Sequence, residues 1–299
     1  MLYRIAHLNP ALYGSIKADH ETRRNTHDVS MWDTLPSQLL GVNNAKTNKT
    51  RAHGVLAGVM YLAPADMATE GRLTLCAYAD KAKCKAGCLN TAGRGRMTSV
   101  QLARVRKTLA YLQHPEAFFA TLDQDVRNLK RKASALRLTP AVRLNGTSDI
   151  DFLEFIARHP DVQFYDYTKN FTRVDHPLPG NYHLTLSYSE ADPGYARNVL
   201  SRVWDGDGTS TSSTPKANMA VVFRDAETVA RVREHGWHLS ASACHPALFS
   251  YQPVFFPPDR IIDGDEHDAR FLDPGPGYIV ALAAKGRAKD DTSGFVVDV

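Results

Sequence analysis

The sequence predicts an α/β protein built on a complete or partial (β/α) barrel of the TIM type, with a doubly wound parallel sheet as the alternative. Three observations predict it. From residue 140 onward, short apolar runs (AVRLNG, VQFYDYTKN, YHLTLSYSE, NMAVVFRD) alternate with amphipathic ones (IDFLEFIARHP, PGYARNVLSRVW, AETVARVREHG). Strands separated by helices at this spacing pair in parallel through right-handed crossovers. Two further apolar runs, VLAGVMYLAP upstream and GYIVALAAK downstream, raise the strand count toward a barrel. With 299 residues, 43% of them hydrophobic, the chain can bury one large core.

Residues 1–54 are polar and irregular and end in GVNNAKTNKTRAHG, so they read as an N-terminal arm or lid on a single domain spanning 55–299. VLAGVMYLAP reads as a buried strand closed by proline, and RLTLCAYA as a second strand that delivers Cys76 to its end. Residues 98–113 form an amphipathic helix, with Thr98 or Ser99 as N-cap and Val100, Ala103, Val105, Leu109 and Leu112 facing the core. Residues 115–137 form another. It starts at Pro115, a favoured first position, and carries Phe118, Phe119, Leu122, Val126 and Leu129 as a stripe. The other faces of these helices hold Arg104, Lys107, Lys130 and Arg131, which suit either a polyanion or plain solvation. Residues 206–217, GDGTSTSSTPKA, read as a mobile loop, and WHLSASA as a further strand.

The strongest chemical signal is the stretch LTLCAYADKAKCKAGCLN, which gathers three of four cysteines, Cys76, Cys84 and Cys88, into thirteen residues. Thiolates this close suit a soft metal or an iron–sulfur cluster, because one loop can wrap the metal while fixing little extra backbone. Structural zinc takes four ligands in two close pairs. Here there is one triplet, with Cys244 and His245 far downstream as possible fourth ligands. Iron–sulfur and zinc readings both stay open.

In a parallel barrel, function sits where strands end and βα loops begin. That position gives Asn145, Ser148 and Asp149 after AVRL, Asp166 and Lys169 after VQFY, Ser187 and Glu190 after YHLTL, and Arg224 after MAVVF. Asp149, Asp166, Lys169 and Glu190 are the expected proton-moving groups; Asn145, Ser148, Ser187 and Arg224 are the expected cofactor-binding ones. Asp149 and Asp225 also suit helix caps. Asp263, Asp265, Glu266, His267 and Asp268 suit a cation site or, more plainly, a turn.

Taken together, NNAKTNKTRAHGVLAGVMYLAP, CLNTAGRGRMTSVQLARVRKT, PAVRLNGTSDI, PDVQFYDYTK and AAKGRAKDDTSGFVV resemble a family of tailed-phage and plasmid proteins of unknown function, over most of the chain. The cysteine loop also resembles, more loosely, the radical S-adenosylmethionine barrels, in which three cysteines leave one iron of a cluster open. The spacing differs from theirs, and Gly87 stands where an aromatic residue precedes their last cysteine.

These resemblances imply a cluster enzyme, with S-adenosylmethionine as partner, acting on a nucleotide or nucleic-acid base. Two other readings remain. One is a zinc-stapled barrel that exchanges or modifies bases; the other is a non-catalytic nucleic-acid-binding or host-takeover protein. No apolar run approaches the roughly 18 residues of a membrane span, and clustered free cysteines suit a reducing cytoplasm. The net charge of +4 permits nucleic-acid contact without demanding it.

Overall fold

The computed structural model describes residues 35–42, 45–69, 71–203, 215–239 and 254–299. Cys244, His245 and most of the 206–217 and WHLSASA segments lie outside these residues. The chain opens with β1 (Leu40–Gly41), α1 (Ala45–Arg51) and β2 (Val55–Met60). After the cysteine loop come α2 (Thr98–Gln113), α3 (Pro115–Leu136), β3 (Thr139–Arg143), α4 (Leu153–Ala157) and β4 (Gln163–Thr168). Then follow β5 (Tyr182–Ser187), α5 (Pro193–Val203), β6 (Asn218–Phe223) and α6 (Ala226–His235). A small pair, β7 (Trp237–His238) and β8 (Phe255–Phe256), precedes β9 (Ile261–Asp263) and β10 (Ile279–Ala283).

The main sheet has eight strands in the order β1-β2-β3-β4-β5-β6-β10-β9, and every pair is parallel except β1 with β2. The result is a mixed α/β fold around a large, mostly parallel sheet. No described pairing joins the edge strands β1 and β9, so closure into a barrel is not formed by the hydrogen bonding. The open sheet fits the doubly wound alternative in this respect.

Strand parity assigns the two faces. Leu56, Val142, Phe164, Leu184, Leu186, Met219, Val221 and Ile279 share one face and pack with Leu122 and Val126 of α3, Phe155 and Ile156 of α4, Val199 of α5 and Val232 of α6. The opposite face is covered by loops. Val55, Ala57, Ala141 and Tyr165 pack there against Phe271, from the segment that joins β9 to β10.

Several local expectations need correction. RLTL is not a strand: Leu73 is exposed, and the Thr69 hydroxyl bonds the Leu73 backbone; Cys76 makes an isolated bridge to Asp149, in the turn after β3. Helix α2 starts without a side-chain cap and buries Gln101 and Arg104 while exposing Ala103, because the end of the cysteine loop docks on it. Asp149 caps no helix; α4 begins at Leu153, whose N–H donates to Asp151. Asp225 does cap α6, accepting from Thr228 N–H at 2.8 Å. The acidic stretch after β9 is a turn, in which Asp265 N–H donates to Asp263.

At Gly146 the turn after β3 lies against the end of β2, donating to the Met60 carbonyl at 3.0 Å. A Cβ there would meet that oxygen and the Tyr61 ring, each at 2.6 Å. Gly146→Ala is therefore expected to cost about 1–3 kcal/mol, read from the denaturant midpoint, whereas Gly180→Ala, with open space around it, should be neutral. Equal midpoints for the two variants would contradict the close approach.

Candidate active site

The turn after β3 is built around Asn145. Its side-chain oxygen accepts from Ser148 Oγ and Ile150 N, both at 2.9 Å, and its amide donates to the Ile150 carbonyl at 3.0 Å. Thr147 Oγ1 donates to the Leu62 carbonyl at 2.5 Å, tying this turn to the start of the cysteine loop. The loop itself is pinned at its far end. Asn90 donates to Gln101 at 2.9 Å and accepts from Arg104, both on α2.

These turns enclose a cavity of about 220 Å³ at the carboxyl ends of the strands. Its lining brings together Cys76, Cys84 and Cys88 with Asn145, Ser148, Asp149, Lys169 and Ser187. It also includes Thr147 and Tyr167, from the same strand-end turns, and two residues the sequence reading did not single out, Arg143 and Phe295. Arg143 had a signal, since a charged residue inside an apolar strand needs a buried partner. Phe295 had none; it arrives from a terminal segment whose placement depends on tertiary packing.

Cys76 accepts a hydrogen bond from Ala65 N–H at 3.4 Å. Burial pushes its thiol up to about 12, with the nearby Asp149 charge adding to the effect. Burial also raises Cys84 and Cys88, and Lys169 partly offsets it in both. All three are free and protonated rather than nucleophilic thiolates; a cation would be needed to draw the protons off. Among the described residues, no three His, Cys, Asp or Glu side chains gather closely enough to hold one metal ion.

Lys169 donates to Ser187 Oγ at 2.7 Å and lies 4.8 Å from the Phe295 ring centroid. Asp149 accepts from Thr168 Oγ1 and Lys169 N at 2.8 Å, Arg173 at 3.1 Å and Asn170 N at 3.2 Å. A carboxylate so fully engaged holds the β3 and β4 turns together. Asp166 ends at the same side of the sheet but does not line the cavity. It points to the helical face, accepting from Asn145 N at 2.7 Å, Asn145 Nδ2 at 3.1 Å and Tyr182 OH at 3.2 Å.

Glu190 and Arg224 also lie away from the cavity. Glu190 N–H donates to Gly294, and Arg224 pairs with Asp298 at 2.8 Å. The basic helix residues divide likewise. Lys130 pairs with Asp161 and Arg131 donates to Asn128 on the exposed side of α3, while Arg104 and Lys107 face a second cavity.

The fold and site define a class: a mixed α/β protein with a mostly parallel sheet and a cysteine-lined cavity at its carboxyl edge. Residues 38–299 match the family model described as Gene product 88, and the chain belongs to that phage-type family. No curated protein and no solved structure matches the chain. Among the described residues, no helix is long and apolar enough to cross a membrane.

Burial raises Asp166 to about 6 from an ordinary 3.8, against the pull of Arg143 and its Asn145 donors. Because the folded value is the higher one, protonated Asp166 favours the fold below about 4, and that contribution is lost as pH rises through about 6. The stability of wild type minus that of Asp166→Asn should therefore fall across this window and then level off. A difference that does not change with pH would exclude this burial.

Proposed function

We propose that the chain is a metalloenzyme of the host-cell cytoplasm, in which Cys76, Cys84 and Cys88 hold an iron–sulfur cluster and S-adenosylmethionine serves as partner in a reaction on a nucleotide or nucleic-acid base. The observation that carries this reading is the single cavity onto which all three cysteines open. A lone zinc needs its donors to converge on one point, and the described cysteines do not. A cluster holds its ligands apart by its own width, so this reading does not require the three sulfurs to converge on one point. Held by three protein thiolates, it would supply an electron at an iron the protein leaves free.

The architecture supports a partial (β/α) barrel as the setting. Strands β2 to β6 follow one another in order, all parallel, and the cysteine loop leaves the first of them. The aromatic contact missing beside the last cysteine is supplied from elsewhere: the Phe295 ring packs so closely on Gly87 that a Cβ there would lie 2.9 Å from it. Around the cavity, Asn145 is spent on shaping the turn, Ser148 Oγ offers an acceptor, and Lys169 offers a positive charge steadied by Ser187. The cavity of about 220 Å³ falls below the roughly 300–1,000 Å³ of ordinary ligand pockets. It is a place for a metal centre, with the larger ligand reaching it from one side.

Anaerobic expression and reconstitution should give coloured protein carrying iron and acid-labile sulfide. Cys76→Ala, Cys84→Ala and Cys88→Ala should each lose most of that iron while remaining folded by circular dichroism. Colourless protein with about one zinc would replace this reading with the structural-metal one, and metal content equal in all variants and wild type would remove it.

A further inference from the structure

Beside the cysteine cavity lies a larger one of about 980 Å³, which shares Leu89 and Lys285 with it. Six cationic side chains line it: Lys49, Arg94, Arg104, Lys107, Lys285 and Lys289. The two acids in its wall are already engaged, Asp265 by Lys285 and Asp268 by Arg143 at 3.0 Å. Positive charge therefore prevails in a concave space.

Arg104 is the telling member. It is only 7% exposed, its guanidinium lies 5.0 Å from the Tyr61 ring centroid, and it donates to Asn90. Its Nε has no hydrogen-bond partner, and among the described residues no carboxylate pairs with it. Burying a charge without an opposite one is costly, so such an arginine is poised for an anion. Lys107, held by the Leu39 carbonyl at 2.6 Å, stands one turn away on the same helix.

We propose that this cavity binds a phosphate ester of nucleotide size, with Arg104 as the buried phosphate ligand and Lys107, Arg94 and Lys289 around it. Arginine presents a fork of donors matched to phosphate oxygens. The volume lies at the upper end of the ~300–1,000 Å³ of small-molecule sites, more than inorganic phosphate would need. Phosphate can come from a free nucleotide or from a nucleic-acid strand, and the two are separated by experiment. The proposal rests on the functional reading only in taking the adjoining cavity as the reaction centre; the binding stands apart from it.

The test is equilibrium binding to the full chain of three probes: a nucleoside triphosphate, a short single-stranded oligonucleotide and inorganic phosphate. The expected result is saturable binding of the triphosphate or the oligonucleotide, at least about tenfold tighter than inorganic phosphate. Arg104→Gln should weaken it at least about tenfold, and the exposed-site variants Arg94→Gln and Lys289→Gln by about threefold each.

Triphosphate binding that the oligonucleotide does not match identifies a free nucleotide; the reverse identifies a strand. Failure of both probes to bind overturns the proposal, as does binding unchanged in Arg94→Gln and Lys289→Gln, two variants whose folding is not in question. Cys84→Ala, expected to lose iron, should bind the probe as wild type does. Binding without iron in wild type would leave this site standing while removing the metal reading.

Discussion

The ion pair between Arg143 and Asp268 fastens the side of the sheet that helices do not cover. Parallel sheets need both faces buried, and here one face is closed by the segment between β9 and β10. Loops laid on a sheet bring polar groups that must find partners. Arg143, at the end of β3, meets Asp268 of that segment with both side chains buried, and stacks 4.6 Å from the Tyr167 ring centroid. Burial opposes the charge on Arg143, and the Asp268 carboxylate more than offsets it. Removing one partner of such a pair typically costs about 3–5 kcal/mol, because the other is left charged and unpaired. Since Arg143 lines one cavity and Asp268 the other, the same contact sets the wall between them.

The two cavities are electrostatically unlike, and the difference follows from what each side chain already touches. In the cysteine cavity, Asp149 is satisfied by four donors and Lys169 by Ser187. The thiols are neutral. Little net field remains there until a cation is bound. In the larger cavity both acids are paired, and among the described residues Lys285 alone of the six cations has a carboxylate partner, so positive charge prevails and attracts anions. A phosphorylated molecule drawn into the larger space would lie next to the smaller one, where Lys285 is common to both.

Much of the fold was legible because its signals are local. The helical stripe Phe118, Leu122, Val126 and Leu129 is buried as its spacing requires, and the alternation after residue 140 gave the parallel strands in order. Closure was not legible, since it depends on whether the edge strands meet, and no residue pattern encodes that. Within the site, Asn145, Ser148, Asp149, Lys169, Ser187 and the three cysteines share one cavity because strand ends of a parallel sheet share one rim. Asp166 went the other way by a single step of strand parity: residues 165 and 167 face the loops, so 166 faces the helices. Placing Asp166 at the rim gave its height along the strand and not its direction.

The basic helices show the same limit at finer grain. A count of arginines and lysines on α2 and α3 treats them alike, but a docked loop changes what exposure means. Residues 89–95 close over α2 through Asn90 and Gln101, and Arg104 becomes a buried charge; among the described residues no such loop covers the outer side of α3, where Lys130 and Arg131 find ordinary surface partners. A surface ion pair such as Lys130–Asp161 contributes roughly 0–1 kcal/mol and commits the protein to little. A buried guanidinium with a donor unused does commit it. The cysteine loop thus shapes both sites: its middle supplies the thiols, and its end turns a solvated helix face into an anion pocket.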